Sequence, residues 1–144
     1  MVEGVKCPLA LAPGWNLVGV PFERVTDAGT LFDHLVLRVG RAVTRLSAGD
    51  TLEGGQAYWV YNSAAETVTV TLTGTARVGG ETDFPALEPS WNYVSPVGCY
   101  NRDTGAFDEA TTMREMQWRW EAAGQFFCGQ QQVPSIGSGY MVKE

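Results

Sequence analysis

The stretch "APGWNLVGVPF" (Ala12–Phe22) returns later in the chain as "EPSWNYVSPVG" (Glu88–Gly98). Each places a Trp-Asn pair behind a short turn and ahead of an apolar run. Repetition at this range constrains the fold more than any local propensity, because repeated units bury a shared core by packing on one another. A second landmark keeps step with the first. "GGQAYWVYN" (Gly54–Asn62) follows the first copy and "GSGYMVKE" (Gly137–Glu144) follows the second. Trp15 lies 43 positions before Tyr58 and Trp91 lies 49 before Tyr140. The extra six match the length of "YNRDTG" (Tyr100–Gly105), so one hairpin-sized insertion reconciles the two copies.

Each half reads alike. "WNLVGVPF" is apolar at nearly every position, as in a strand covered on both faces. "TDAGTLFDHL" predicts a short helix, with Thr26 or Asp27 as N-cap and Leu31, Phe32 and Leu35 on one face. "RAVTRLSAGD" predicts a strand and a turn, and the aromatic, β-branched "AYWVYN" a strong strand. "ETVTVTLTG" alternates, with Val68, Val70 and Leu72 inward and its threonines outward. In the second half "DEATTMREM" takes the place of the helix. "MQWRWEA" and "GQFFCGQ" follow as strands joined at Ala123-Gly124. The expected fold is therefore mainly β: a duplicated β-rich module with pseudo-two-fold related halves, each with a short helix. Residues 1–10 form an N-terminal segment, 11–80 the first repeat and 81–144 the second, within one compact domain. Trp15, Tyr58, Trp59, Trp91 and Tyr140 are the expected core landmarks, since a half of this size buries too little surface alone.

Composition agrees with a folded, turn-rich chain. In 144 residues there are 17 Gly, 7 Pro, 5 Trp, 5 Tyr and 6 Phe, with 18% charged residues. A formal charge of −6 argues against a nucleic-acid partner, which needs a basic stripe to displace phosphate counterions. The scattered Arg38, Arg41 and Arg45 read as a solvated face. No stretch reaches the roughly 18 apolar residues of a membrane span. The opening "MVEGVKCPLALAPGW" has no continuous apolar run of the signal-peptide kind, so use without export, or a mature or trimmed piece, is expected. Cys7, Cys99 and Cys128 show no C-x-x-C spacing. Cys99 and Cys128 are able to pair, but three buried or half-buried thiols are the preferred reading.

With these residues in view, the chain resembles a repeat family of bacterial and archaeal secreted and surface proteins. That pattern opens "pGWNlvgvPv", continues through a short helix, and closes with a "GyWVy" strand and a Thr/Val strand. Leu11–Gly74 matches it well and Leu87–Val142 less closely, with Ser90 in place of Gly and Met141 in place of Trp. "YNRDTGAF" is also similar to a hairpin common in such proteins. The resemblance implies a structural or appended module at a cell surface and brings no catalytic residue with it.

The chemistry on offer is sparse. His34, the only histidine, has no nucleophile elbow nearby and reads as a surface or capping residue. Glu81, Asp83, Asp103, Asp108 and Glu109 hold the carboxylates a glycosidase pair would need, but loop acids at this density are ordinarily just solvated. Asn101, Asp103 and Asp108 around Gly105 echo a calcium loop without its full spacing, and a plain turn accounts for them equally. Trp118 and Trp120, two apart on a strand, project from one face and are able to stack on a sugar. The favoured reading makes that face core and Gln117, Arg119 and Glu121 the wet side. No catalytic residue, metal site or cofactor is expected. The function expected is that of a non-enzymatic structural or interaction module decorating a surface, filament or virus-like particle. Protein partners or self-association would carry it: a neighbouring chain would cover the Thr-rich strand as a sheet edge, and the second copy, stopping at "GYMVKE", leaves the matching edge place to a strand from elsewhere or to the N-terminal "VKCPLAL" of the same chain. The alternative is a carbohydrate-binding module using exposed aromatic residues.

Overall fold

The computed structural model describes residues 1–40, 42–111, 117–129 and 133–143. Over these the chain is mainly β. Its strands are β1 (Val2–Leu11), β2 (Gly14–Gly19), β3 (Arg24–Asp27), β4 (Leu35–Val39), β5 (Val43–Leu46), β6 (Ala57–Asn62), β7 (Val68–Ala76), β8 (Trp91–Val94), β9 (Tyr100–Asn101), β10 (Ala106–Phe107), β11 (Gln117–Glu121), β12 (Phe126–Gly129) and β13 (Tyr140–Lys143). They form four antiparallel sheets: β2-β6-β4-β5, β8-β13-β11-β12, β1-β7-β3 and the hairpin β9-β10.

The two four-stranded sheets have the same order when each is counted from its Trp-Asn strand, and their registers agree. Val60 lies between Asn16 and Val36, as Val142 lies between Asn92 and Gln117. The Asn16 amide Nδ2 donates to the carbonyls of Ala12 (2.9 Å), Gly14 (3.1 Å) and Val60 (3.4 Å), and its Oδ1 accepts from Ala12 N–H. Asn92 donates likewise to Glu88 (2.9 Å), Ser90 (3.1 Å) and Val142 (3.3 Å), and accepts from Glu88 N–H. Each asparagine thereby ties the turn before its strand to the strand itself. The hydroxyls of Tyr58 and Tyr140 each accept a backbone N–H five residues upstream, from Glu53 and Ser135, both at 2.8 Å. The sheets also clasp one another reciprocally. Gly19 N–H donates to Gly137 O, and Ser95 N–H to Gly55 O. Isolated bridges join Val18 to Ser138 and Gln56 to Val94.

The registers pair Leu37 with Arg45 and Trp118 with Gly129, so the β11–β12 connection is longer than the β4–β5 one.

The main core lies between β1-β7-β3 and the inner face of the first four-stranded sheet. Val5, Cys7, Leu9 and Leu11 from β1 and Val70 and Leu72 from β7 meet Val18, Val36, Tyr58 and Val60. The second sheet has a smaller core of Phe84, Val94, Tyr140 and Val142, with Leu87 packed against it. The Thr-rich strand β7 is thus the middle of its sheet, with β1 in register along it from Val5 to Leu11. The expected open Thr edge is absent because the chain's own N-terminal segment occupies it. That removes the edge argument for self-association.

Two further expectations are corrected. The first-half helix is a single 3-10 turn, Leu31–Asp33. Thr26 and Asp27 belong to β3, and Asp27 Oδ1 accepts Gly29 N–H in a turn (2.8 Å) instead of capping a helix. In the second half 108–111 is not helical, and 112–116 lies outside the described residues. Among the landmarks, Tyr58 and Tyr140 are fully buried, Trp15 and Trp59 half-buried, and Trp91 is 41% exposed.

Cys7 and Cys99 are buried and Cys128 is half-buried; all three are free thiols. Burial pushes the Cys7 thiol up from 9.0 to about 11. An acid whose pKa rises on folding contributes stability in full below its unfolded pKa and loses it as pH climbs toward the folded value. A loss of about 2 kcal/mol between pH 9 and 11 is expected from this thiol. Urea midpoints across that range should fall more steeply for the native chain than for Cys7→Ala. Parallel curves would mean that the thiolate reaches water.

Candidate binding surface

Alternation along the strands decides what the outer faces carry. In the first sheet Asn16, Val18, Val36, Tyr58 and Val60 are buried, so Trp15, Leu37, Val39 and Trp59 lie on the opposite side. Strand pairing brings them together: Leu37 and Leu17 flank Trp59 across the ladder, and Trp15 pairs with Tyr61. The second sheet faces this surface with Tyr93, Trp120 and Phe127. Together they line a trough of about 440 Å³, open to solvent and completed by Val43.

The rings interlock edge to face. Trp59 and Trp120 have centroids 4.9 Å apart at 86°, Trp15 and Trp59 6.2 Å at 85°, and Trp59 and Phe127 5.8 Å at 78°. Such pairs put the positive edge of one ring on the negative face of the next, each worth about 0.5–1.5 kcal/mol beyond area burial. The backbone holds them in place. Trp120 Nε1 donates to Trp15 O at 2.7 Å. The Gln125 amide accepts Trp15 N–H and donates to Trp15 O, both at 2.8 Å, so the β11–β12 turn clips onto β2. Gly14 leaves the room this needs, since a Cβ there would sit 2.8 Å from Gln125 Oε1.

Trp118 and Trp120 are therefore half-buried on the outer face, and the inner position belongs to Gln117, which is 1% exposed. This reverses the expected polarity of β11. Met116, which opens "MQWRWEA" and by alternation shares a face with Trp118 and Trp120, lies outside the described residues. Arg119 and Glu121 are half-exposed and paired at 2.7 Å, and the Arg119 guanidinium holds the Glu121 carboxyl below the usual carboxylate range. A second hollow, of about 600 Å³, continues from Val39 and Tyr93 to the exposed Trp91. The Arg38–Glu53 pair (3.3 Å) on its wall is solvent-screened.

The remaining candidates do not converge. His34 follows the 3-10 turn, its backbone N–H bonded to Leu31 O. Asn101 Oδ1 accepts the N–H groups of Asp103 and Thr104, so its oxygen serves the β9–β10 turn. Among the described residues no three His, Cys, Asp or Glu side chains are grouped to hold a metal ion. Among them, too, no helix is long and apolar enough to cross a membrane. Sequence reasoning missed Leu37, Val39, Val43, Tyr93 and Phe127 as site residues. The adjacent phenylalanines of "GQFFCGQ" were the one local sign, because alternation must turn one of them onto the tryptophan face.

Comparison with protein families, with curated proteins and with solved structures returned no match.

Proposed function

We propose that the chain is a non-catalytic interaction module whose contact surface is the aromatic trough between the two four-stranded sheets. The observation that carries this is an interlocked Trp15–Trp59–Trp120–Phe127 cluster left half-buried along a trough open to solvent, where covering it would bury the remaining ring surface. The two halves are copies of one duplicated unit, a reading supported by the matching strand order, the paired Asn16 and Asn92 networks and the reciprocal bonds at Gly19 and Ser95. It accords with the resemblance to the repeat modules of surface proteins. In that setting the module decorates a surface, filament or particle.

A polypeptide ligand fits better than a glycan. Rings at 78–86° to one another do not share a plane, so they offer no flat platform for successive sugars. The walls are also short of hydrogen-bonding groups, with the Trp120 N–H already donated to Trp15. Sugar hydroxyls buried there would lose water without replacement. The test is to screen the intact chain against a phage-displayed random dodecapeptide library and a glycan array. Micromolar peptide ligands are expected, weakened at least tenfold by Trp59→Ala in a variant that still melts cooperatively. A glycan that binds and is lost in the same variant would put the carbohydrate reading in its place.

A further inference from the structure

One sheet edge beside the trough stays open. In the order β2-β6-β4-β5 the last strand has β4 on one side and, among the described residues, no strand on the other. β5 pairs with β4 without a bulge and carries no Pro, so its edge is guarded only by its short length and the charge of Arg45. Its first three residues are exposed; Val43, at 63%, is also a wall of the trough.

The ladder sets which backbone groups are free. Gly40 N–H donates to Ala42 O (3.2 Å) at the β4–β5 turn. Bonded and non-bonded pairs alternate along an antiparallel ladder. The pairs Arg38–Thr44 and Val36–Leu46 are then the bonded ones, and Val43 and Arg45 turn their N–H and C=O groups to the open edge. The same two residues project their side chains onto the trough face, since Val43 lines the trough and Arg45 stands opposite Leu37, which also lines it. Arg45 is exposed and has no ion-pair partner among the described residues.

Resting on the interaction-module reading, we propose that β5 takes an extended segment of a partner protein as a fifth strand. Apolar side chains of that segment enter the trough and a carboxylate meets Arg45. This is strand addition, in which backbone bonds set register and alternate side chains give selectivity. A strand as short as β5 supplies only a few ladder bonds, so the trough provides the affinity and the edge the alignment. A second copy of the chain fits poorly. Val43, Thr44, Arg45 and Leu46 include no acid, and pairing two β5 strands would add a second Arg45 to the same short ladder.

The test uses the intact chain and the dodecapeptides selected on it. Proline is tolerated at an edge position whose N–H faces outward, so Val43→Pro removes a docking group and spares the β4 ladder. The selected peptides should carry an acidic residue two positions from an apolar one, so that both lie on the strand face turned to the trough, and lose at least tenfold in affinity on Val43→Pro. Val43→Ala, which keeps the N–H, should cost less than threefold. Arg45→Glu should turn the selection toward basic peptides. Methylating alternate backbone nitrogens of the best peptide should weaken its binding to the native chain in one phase only, which stands even if Val43→Pro folds poorly. Peptides that bind Val43→Pro and every methylated form at native strength, yet are lost on Trp59→Ala, would overturn strand addition and leave the trough reading standing. Peptides indifferent to Trp59→Ala, or an empty selection, would overturn both. A native dimer in sedimentation that Val43→Pro dissociates would assign the edge to a second copy and overturn the heterologous partner.

Discussion

Replacing Tyr58 by alanine is expected to lower stability by about 3–5 kcal/mol, the usual cost of emptying a buried aromatic site. Tyr58 is 1% exposed and packs in the main core with Val18, Val36 and Val60, so little water can enter to offset the void. Its hydroxyl also accepts Glu53 N–H at 2.8 Å, fixing the turn that precedes β6. Tyr58→Phe isolates that bond and should cost about 1 kcal/mol. For a chain of this length the alanine variant should melt roughly 10 °C lower. Urea unfolding followed by tryptophan fluorescence provides the check, with an unchanged slope and a displaced midpoint as the expected result. A midpoint that hardly moves would mean that the core collapses around the gap and that the two layers are loosely joined.

What could be read beforehand divides along a physical line. Strands written as apolar runs or clean alternations, β2, β6 and β7, were legible because local pattern reports covering by neighbours. Two-residue periodicity also told which residues share a face. It did not tell which face is inward. In β11 the sequence pattern reads the aromatic side as core, whereas the second half has only a small inner core and Gln117 is the buried residue. The helix failed for a different reason. Leu31, Phe32 and Leu35 are spaced as on a helix, but β3 must reach β7 and β4 must reach β6 with seven residues between them. Tertiary pairing leaves room for a single turn, and Gly29, at φ +56°, rests against Thr71 O where a Cβ would lie 2.6 Å away. The trough escaped detection because it assembles residues from both halves through pairings of long sequence separation, to which no local window is sensitive.

The join between the halves offers the sharpest expected loss after Tyr58. Gly19 and Ser95 occupy corresponding places, each four residues beyond its Trp, and they meet where the sheets clasp. A Cβ on Gly19 would lie 2.1 Å from Ser95 Cβ and 2.6 Å from Ser138 O. Both contacts are far inside van der Waals distance, so only one of these two places has room for a side chain. Gly19→Ala must push the sheets apart or bend β2, breaking the Gly19 N–H to Gly137 O and Ser95 N–H to Gly55 O bonds, and should cost about 3 kcal/mol. Ser95→Gly alone gives up the hydroxyl that accepts Val20 N–H (3.0 Å) and should cost about 1 kcal/mol. In the double variant the Ser95 clash is gone and the Ser138 clash remains, so the combined loss should fall short of the sum by about 1 kcal/mol or more. Strict additivity across that cycle would show that the two residues do not share the space. The halves would then be held by the Gln125 clip and the aromatic cluster, and not by their central clasp.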